Sequence, residues 1–372
     1  MIVNLFVLFL ILIIGKLFSN GKAVSVNSDA NRKKYIKIIS FILILQSGLR
    51  NVAVGADTYA YFLTFEDSKK TSWNQIYQAI IDYYRYGISK DPGFLVFEKL
   101  CSLVGNYQVY LFIIALLFFT ALGNFIYKNT NRLSDVIMAF VIYSVLFYSF
   151  FSITGHRQTI ATAAALYSFE FIKKRKLVPF LLLLLLASTI HKSVLIFIPF
   201  YFICLINKTK LIYIFTLLLF PVFMIIRNSL ALYFQSIGGY KEYEQFEGAG
   251  TYTFTIMFLF ISIVALIRNK SILKQNSQTR YYYNAFAIAL LFLPLTWINP
   301  NMMRVVQYFS IFMLLLIPEI INSLGDFSLK LRNDARVVVI IVLIVLFIQS
   351  SSPPYGFFWE EMRLGQNYFI GD

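Results

Sequence analysis

Arg157, His191, Arg227 and Arg304 stand in four separate stretches of this sequence, each at the tip of an apolar run of membrane-helix character. Counting the runs puts all four on one side of the bilayer. With only two histidines and 14% charged residues in the chain, cationic or titratable groups gathered at one face read as an anion-handling site, because a membrane domain keeps ionisable groups where they meet a cavity, a partner or a ligand. Further candidates adjoin them: Lys192 beside the histidine, Gln158 beside Arg157, and Asp57, Asp91 and Glu98 with the rings of Tyr59 and Tyr61 in one polar stretch.

The elements that position these groups are membrane helices. The 372 residues are 59% hydrophobic, with 39 Phe and 25 Tyr and a mean hydropathy of +0.69, in apolar runs separated by short basic punctuation. That composition excludes a soluble enzyme and defines an all-α polytopic membrane protein. No hydrophilic stretch is long enough for an independent soluble domain, so residues 1–372 read as a single transmembrane domain with extracytoplasmic loop elements at 51–107 and 227–252. The first run, Ile2 to Ile14, lacks a basic leader and a small-residue cleavage site and reads as a retained helix. Cys101 and Cys204 fall near opposite faces, so no disulfide or metal framework is expected.

Twelve spans are predicted, at 2–18, 35–50, 108–127, 133–151, 157–172, 177–190, 193–206, 211–226, 253–267, 281–298, 305–321 and 336–350. The stretch 177–206 reads either as one long helix or as a hairpin of two short ones. Charge decides for the hairpin. It places 21 Lys and Arg against six Asp and Glu on one side and 12 against 12 on the other, which makes the basic side cytoplasmic and both termini extracytoplasmic. The basic clusters Arg32 to Lys34 and Lys173 to Lys176 then mark orientation and contact with anionic lipid, not nucleic acid.

On the outer side, turn residues alternate with acids and aromatics. Carboxylates that hold hydroxyls and rings that stack on an apolar sugar face are the usual parts of a saccharide site, and Tyr59, Tyr61, Trp73, Tyr77, Tyr83, Tyr84 and Tyr86 supply rings. A second loop contains Gly238-Gly239-Tyr240 and the acids Glu242, Glu244 and Glu247. Arg157 opens a helix of small residues, Gln158 to Ala165, where the free backbone amides of a helix start and a guanidinium together suit a diphosphate. His191 and Lys192 sit at the turn of two helices of about 14 residues, each covering only about 21 Å of an about 30 Å hydrocarbon layer, which predicts a recess below the outer surface. Arg227 ends the run 211–226, and Arg304 opens 305–321 after the turn Asn299-Pro300-Asn301. Neither Glu66-Asp67 nor the acidic run 242–247 demands a metal; solvated loop charge explains both.

Four motifs, in order, carry a resemblance: Gly55-Ala56-Asp57-Thr58-Tyr59-Ala60-Tyr61, Asp91-Pro92-Gly93-Phe94 with Glu98, Gly155-His156-Arg157-Gln158-Thr159-Ile160-Ala161, and His191-Lys192-Ser193 leading to Pro199. Over roughly residues 35–206 the chain resembles the EpsG family, which is similar to the Wzy-type polymerases of bacterial O-antigen, capsule and exopolysaccharide. The resemblance implies a bundle related to the GT-C type glycosyltransferases, in the bacterial cytoplasmic (inner) membrane with the active site outside. It further implies a glycan transfer from polyprenyl pyrophosphate to a hydroxyl of a lipid-linked repeat unit. Expected partners are that lipid-linked oligosaccharide, membrane lipids and other polysaccharide-assembly proteins; no cofactor is expected. In this reading Asp57, His191 and Glu98 are the candidate catalytic bases. Arg157, Arg304, Arg227, Lys192, Tyr59, Tyr61, Gln158 and Asp91 are candidate substrate contacts. The competing readings are a flippase or transporter of lipid-linked oligosaccharide, which would carry charges at the membrane midplane, and a membrane O-acyltransferase, which would present its histidine inward.

The charge tally yields a test. Cysteines at 157, 191, 192 and 304 are expected to react with a membrane-impermeant thiol reagent added from outside, and reaction at 191 only after the inner face is opened would overturn the hairpin.

Overall fold

The structure is a computed structural model that describes residues 2–20, 28–55, 57–87, 91–238, 251–299, 302–350 and 354–361. Among these the chain is helical throughout, with no strand and one isolated antiparallel bridge, Arg50 to Phe357. The helices are α1 (Ile2–Asn20), α2 (Ser28–Gly48), α3 (Thr58–Lys70), α4 (Trp73–Tyr86), α5 (Pro92–Val104), α6 (Tyr107–Asn129), α7 (Leu133–Leu146), α8 (His156–Lys173), α9 (Leu177–Ser188), α10 (Ile198–Ile203), α11 (Thr209–Ile225), α12 (Arg227–Gly238), α13 (Tyr252–Gln275), α14 (Thr279–Phe292), α15 (Met303–Ser310), α16 (Met313–Ser323) and α17 (Leu329–Gln349). A six-residue π-helical turn, Ser149–Thr154, precedes α8.

Among the described residues three helices are individually long and apolar enough to cross a membrane, at Ile2–Ser19, Tyr107–Asn129 and Tyr252–Gln275. Two bent pairs raise the number to five: α11 with α12, which turn by 85°, and α15 with α16, which turn by 47°. Other apolar helices are shorter; α7 has 14 residues and α9 has 12, so each covers only about 20 Å. The polar stretch 51–107 is not irregular: it folds into α3, α4 and α5. Ser72 and Gln75 cap α4 reciprocally, the Ser72 hydroxyl accepting from the Gln75 amide and the Gln75 side chain from the Ser72 amide. Gly87 ends it in the left-handed region at φ +67. Of the second polar stretch, 227–238 is helical, while Gly239, Tyr240, Glu242, Glu244 and Glu247 lie outside the described residues, as do Ala56, Pro300 and Asn301.

The ambiguous segment 177–206 reverses. The rings of Phe180 and Tyr201 pack 5.1 Å apart, whereas a continuous helix would separate residues so spaced by about 30 Å. The break falls at Thr189 to His191, after which a 3-10 turn, Lys192–Phe197, leads into α10.

The chain divides into two compact units: Met1–Phe171 with Leu182–Lys192 and Val342–Asp372, and Ile172–Leu181 with Ser193–Ile341. In the first, α2 lies along α6 and α1 against α7. Close approach is made possible by glycine: a Cβ on Gly15 would stand 2.7 Å from Ile137 Cδ1, and one on Gly48 would collide with the Phe112 ring. Buried polar bonds tie the helices, Gln46 Nε2 donating to Asn4 Oδ1 at 2.8 Å and Tyr35 Oη to the Ile11 carbonyl at 2.9 Å. The segment 355–358 clamps the end of α2, with Tyr355 Oη on the Gln46 carbonyl and the Phe358 amide on the Leu49 carbonyl. In the second unit α14 packs on α11 and α15, Tyr283 Oη donates to the Ala265 carbonyl at 2.6 Å and Asn284 Nδ2 to the Ile203 carbonyl at 3.0 Å.

Gly48→Ala is expected to destabilise the protein by about 1–3 kcal/mol, because the Phe112 ring cannot bend away as an aliphatic tip would. Gly325→Ala, whose nearest neighbour to a new Cβ is 3.6 Å away, should stay within about 0.5 kcal/mol of wild type. Thermal unfolding in detergent compares the two.

Candidate functional site

The site grows out of the first unit, from a short loop and three helix ends. Gly55 adopts φ +105, and a Cβ there would collide with Ile153, so only glycine lets the loop lie on the π-helical turn. Next to it the buried Thr58 hydroxyl donates to the carbonyls of Val54 (2.7 Å) and Ile153 (3.2 Å), and Tyr107 Oη donates to the Thr58 carbonyl at 3.0 Å. With the start of α3 pinned in this way, Tyr61, one turn on, stacks on the His156 ring at 4.2 Å and 18°.

His156 in turn rests on Arg50, which is 2% exposed. Arg50 Nη2 lies 2.7 Å from His156 Nε2, and Tyr110 Oη lies 3.2 Å from Nδ1. A guanidinium has donors only. Nε2 must therefore accept, which leaves the imidazole neutral with its proton on Nδ1, directed at Tyr110. Arg50 also donates to the carbonyls of Ser47 and Ile153, and among the described residues no carboxylate pairs with it.

Above this stack stands Arg157. Its Nη1 donates to Asp91 Oδ2 at 2.7 Å and its Nε to Tyr61 Oη at 3.5 Å, with the guanidinium 5.9 Å from the Tyr61 ring centre and 5.8 Å from that of Phe94. The side chain remains 32% exposed. Asp91 precedes α5 in the left-handed region, φ +53, a conformation uncommon outside glycine. It makes no cap bond to its own helix; its carboxylate serves Arg157 instead. Gly93 follows, its amide donating to the Thr189 carbonyl at 2.9 Å, and any Cβ there would strike Thr189. That direct contact seats the start of α5 on the reversal after α9 and brings His191, 3% exposed, to Asp91: Nδ1 is 3.7 Å from Oδ2. One carboxylate thus stands between a guanidinium and an imidazole.

The two acids of this helix are driven apart. Burial alone would raise the Asp91 pKa, but His191 and Arg157 outweigh it and hold the carboxyl below its ordinary value. Glu98, two turns on and fully buried, is pushed up to about 7 by burial, against the opposing effects of the Thr64 hydroxyl, which donates to Oε1 at 2.9 Å, and of Arg157. Beneath both lies a core of Phe65, Phe94, Cys101, Tyr107, Tyr110 and Leu111.

Of the residues expected from sequence, the structure joins Arg157, Asp91, His191 and Tyr61, with Glu98 within electrostatic reach of Arg157. Gln158 is buried behind Arg157. Lys192 is exposed, its ammonium 4.8 Å above the Tyr83 ring of α4, which makes it a better labelling position than the buried His191. Asp57, part-exposed, stands at the N-terminal boundary of α3 without a side-chain cap bond, and its carbonyl accepts from the Tyr61 amide at 3.1 Å. Tyr59 stacks with Phe62 at 6.2 Å. Arg227 and Arg304 belong to the second unit: Arg227 Nη1 donates to the Met224 carbonyl at 2.6 Å across the α11–α12 bend, and Arg304 is the second residue of α15. Glu66 is paired with Lys69 at 2.5 Å, and among the described residues no cluster of three His, Cys, Asp or Glu is placed to hold a metal. Arg50, His156 as its partner, Tyr110 and Thr64 are additions that the structure supplies. Arg50 closes the apolar run 35–50, so the criterion that selects Arg157 selects it too.

Fold and site together define an all-helical membrane protein in which a part-exposed arginine meets a buried aspartate and histidine. From residue 33 to residue 358 the sequence matches the family model described as the EpsG family, and the chain belongs to that family. No curated protein and no solved structure matches it.

Glu98 gives a pH test. Below its ordinary value of 4.5 the carboxyl is protonated whether the chain is folded or not. Between there and about 7 only the folded chain keeps the proton, so this stabilisation is full at low pH and is lost as pH rises through about 7. A loss of about 3 kcal/mol follows. Glu98→Gln should flatten that slope in thermal unfolding measured from about pH 5 to 8; an unchanged slope would mean that Glu98 is ionised throughout.

Proposed function

We propose that this protein is a polysaccharide polymerase of the Wzy type. It takes a growing glycan from polyprenyl pyrophosphate and joins it to a hydroxyl of a lipid-linked repeat unit, on the extracytoplasmic face of the bacterial cytoplasmic membrane and within a twelve-span bundle of the GT-C kind. The observation that carries the reading is Arg157: a guanidinium aligned by Asp91, part-exposed, at a helix start beside His191, in a chain of the EpsG family.

In the reaction the bond between the anomeric carbon and the diphosphate oxygen breaks as the acceptor oxygen bonds to that carbon. The pair of electrons leaves with the diphosphate, and the hydroxyl proton passes to a base. Charge grows on the leaving oxygen, where a pre-aligned guanidinium stabilises it most. Asp91 keeps Arg157 in that pose and is already committed as a fixed anion, so the base is sought elsewhere, in Asp57 or His191, with Glu98 in reserve. Lys192 is a secondary diphosphate contact. Tyr59 faces the saccharide, whereas Tyr61, stacked on His156 and edged by Phe94, supports Arg157, and Gln158 lines the same helix start. The lipid-linked oligosaccharide and other polysaccharide-assembly proteins are the partners this role requires.

In a host deleted for the gene, single lipid-linked repeats should accumulate, and wild type should restore the ladder. Arg157→Ala and Arg157→Lys should both fail at normal protein level, with at least a hundredfold loss of about 2.7 kcal/mol of transition-state stabilisation, because an ammonium cannot reproduce a two-pronged contact. Wild-type chain length from Arg157→Lys would reduce the residue to a point charge or an anchor. The base is separated with purified protein: if Asp57 accepts the proton, Asp57→Asn is inactive while substrate still binds, and His191→Gln retains turnover; if His191 accepts it, the results exchange. Near-normal polymer from both variants would shift the role to Glu98 or remove the need for a strong base.

A further inference from the structure

Away from the Arg157 cluster, α2 and α6 part along one face to leave a groove of about 350 Å³. From α2 it is lined by Lys33, Lys37, Ser40 and Ile44, and from α6 by Phe119 and Gly123. Lys33 and Lys37 are one turn apart and exposed, in the first half of α2, with Lys33 inside the basic cluster Arg32 to Lys34. From Lys33 to Ile44 the groove extends roughly 16 Å, most of the length of a fatty acyl chain, and its walls beyond Lys37 are mainly hydrocarbon and aromatic.

Three observations give it an occupant. First, among the described residues neither lysine pairs with a carboxylate: Asp29, on the first turn of α2, is held by Arg32 at 2.5 Å and by Tyr127 Oη at 2.9 Å, and the Arg32 guanidinium lies over the Tyr127 ring at 4.7 Å. The mouth therefore carries two lysines without an ion pair, Asp29 acting on Lys33 only through space. Second, Ser40, 9% exposed, lines the groove one turn below Lys37 with a buried hydroxyl that has no hydrogen-bond partner, a condition that buried polar groups rarely tolerate. Third, Gly123 lets α6 close against α2 at the floor, where a Cβ would stand 3.0 Å from Ser40 Oγ and 3.1 Å from Ile36 Cγ2.

We propose that this groove binds one anionic glycerophospholipid of the surrounding bilayer, with its phosphate on Lys33 and Lys37, an ester carbonyl accepting from the Ser40 hydroxyl, and one acyl chain along Phe41, Ile44 and Phe119. A polyprenyl phosphate offers the same charge but no ester carbonyl for Ser40, which favours the glycerolipid. The site is independent of the polymerase reading and stands or falls without it.

The full chain in detergent, titrated with phosphatidylglycerol, phosphatidylcholine or a polyprenyl phosphate and followed by native mass spectrometry, tests this. Wild type is expected to retain one phosphatidylglycerol with a preference over phosphatidylcholine on the order of tenfold or more, since each lysine near an anionic lipid contributes about 1 kcal/mol. Lys33→Gln with Lys37→Gln should abolish the preference. Ser40→Ala should weaken phosphatidylglycerol and leave polyprenyl phosphate unchanged, and Gly123→Leu, by filling the floor, should remove the adduct. If Gly123→Leu does not fold, the lysine pair and Ser40→Ala still decide. Equal binding of both glycerolipids, a preference that survives the double glutamine variant, or tighter retention of polyprenyl phosphate than of phosphatidylglycerol would each overturn the proposal.

Discussion

A guanidinium in a mostly enclosed pocket of a membrane protein needs an anion beside it, since removing one partner of a buried pair costs about 3–5 kcal/mol. Asp91 supplies that anion to Arg157, and much else in the first unit serves to bring this carboxylate to its place. It sits in the left-handed region at the mouth of α5, a conformation costing of order 1–3 kcal/mol in a residue with a side chain. Pro92 fixes the next φ, and Gly93 admits the Thr189 backbone. The reversal after α9 then delivers His191 to the same carboxylate.

The opposite face of Arg157 depends on a second buried cation handled differently. Arg50 has no carboxylate among the described residues; carbonyl oxygens and the accepting nitrogen of His156 satisfy it. Because that nitrogen must accept, the imidazole presents a neutral, flat face to Tyr61, and Tyr61 presents its hydroxyl and ring to Arg157. The positive field of Arg50 is thus passed to the site without a compensating negative charge. The site holds one guanidinium paired with a carboxylate and a second, deeper one whose partners are carbonyls and an imidazole.

Much of this was legible in sequence. Apolar runs and short basic loops located the helices, and the charge tally demanded the reversal at 189–191 that the Phe180–Tyr201 packing displays. Arg157 and His191 stood out because charge is scarce. The stretch 51–107 reads as loop because it is polar, although Trp73, Ile76, Tyr77, Ile80, Ile81 and Tyr84 already follow a helical period. The hidden parts are those that depend on tertiary contact: Thr64 is an ordinary exposed-helix residue until Glu98 packs beside it, and the Arg50–His156 pair joins residues 106 positions apart. Tyr61 was legible as an aromatic near the site but not as a prop for Arg157, since stacking on His156 is visible only in three dimensions. Arg227 and Arg304 share the helix-tip signature of Arg157, yet each unit builds its own surroundings for them, and a signature at a helix tip says nothing about which unit a residue joins.

Asp91 and Glu98 show how one short helix divides the work of two acids. They are seven residues apart, Asp91 immediately before α5 and Glu98 within it. Both are buried, and burial favours the neutral form of each. Asp91 escapes that fate because two cationic or titratable partners converge on it, whereas Glu98 has a single hydroxyl at contact distance and feels Arg157 only through space. The first is a permanent anion, suited to orienting a guanidinium and unsuited to accepting a proton. The second gains and loses a proton near neutral pH, the behaviour of a group able to exchange one. Environments that separate the protonation of neighbouring acids are how a single scaffold assigns fixed charge to one residue and proton traffic to another, and the division here follows from where α5 lies relative to Arg157.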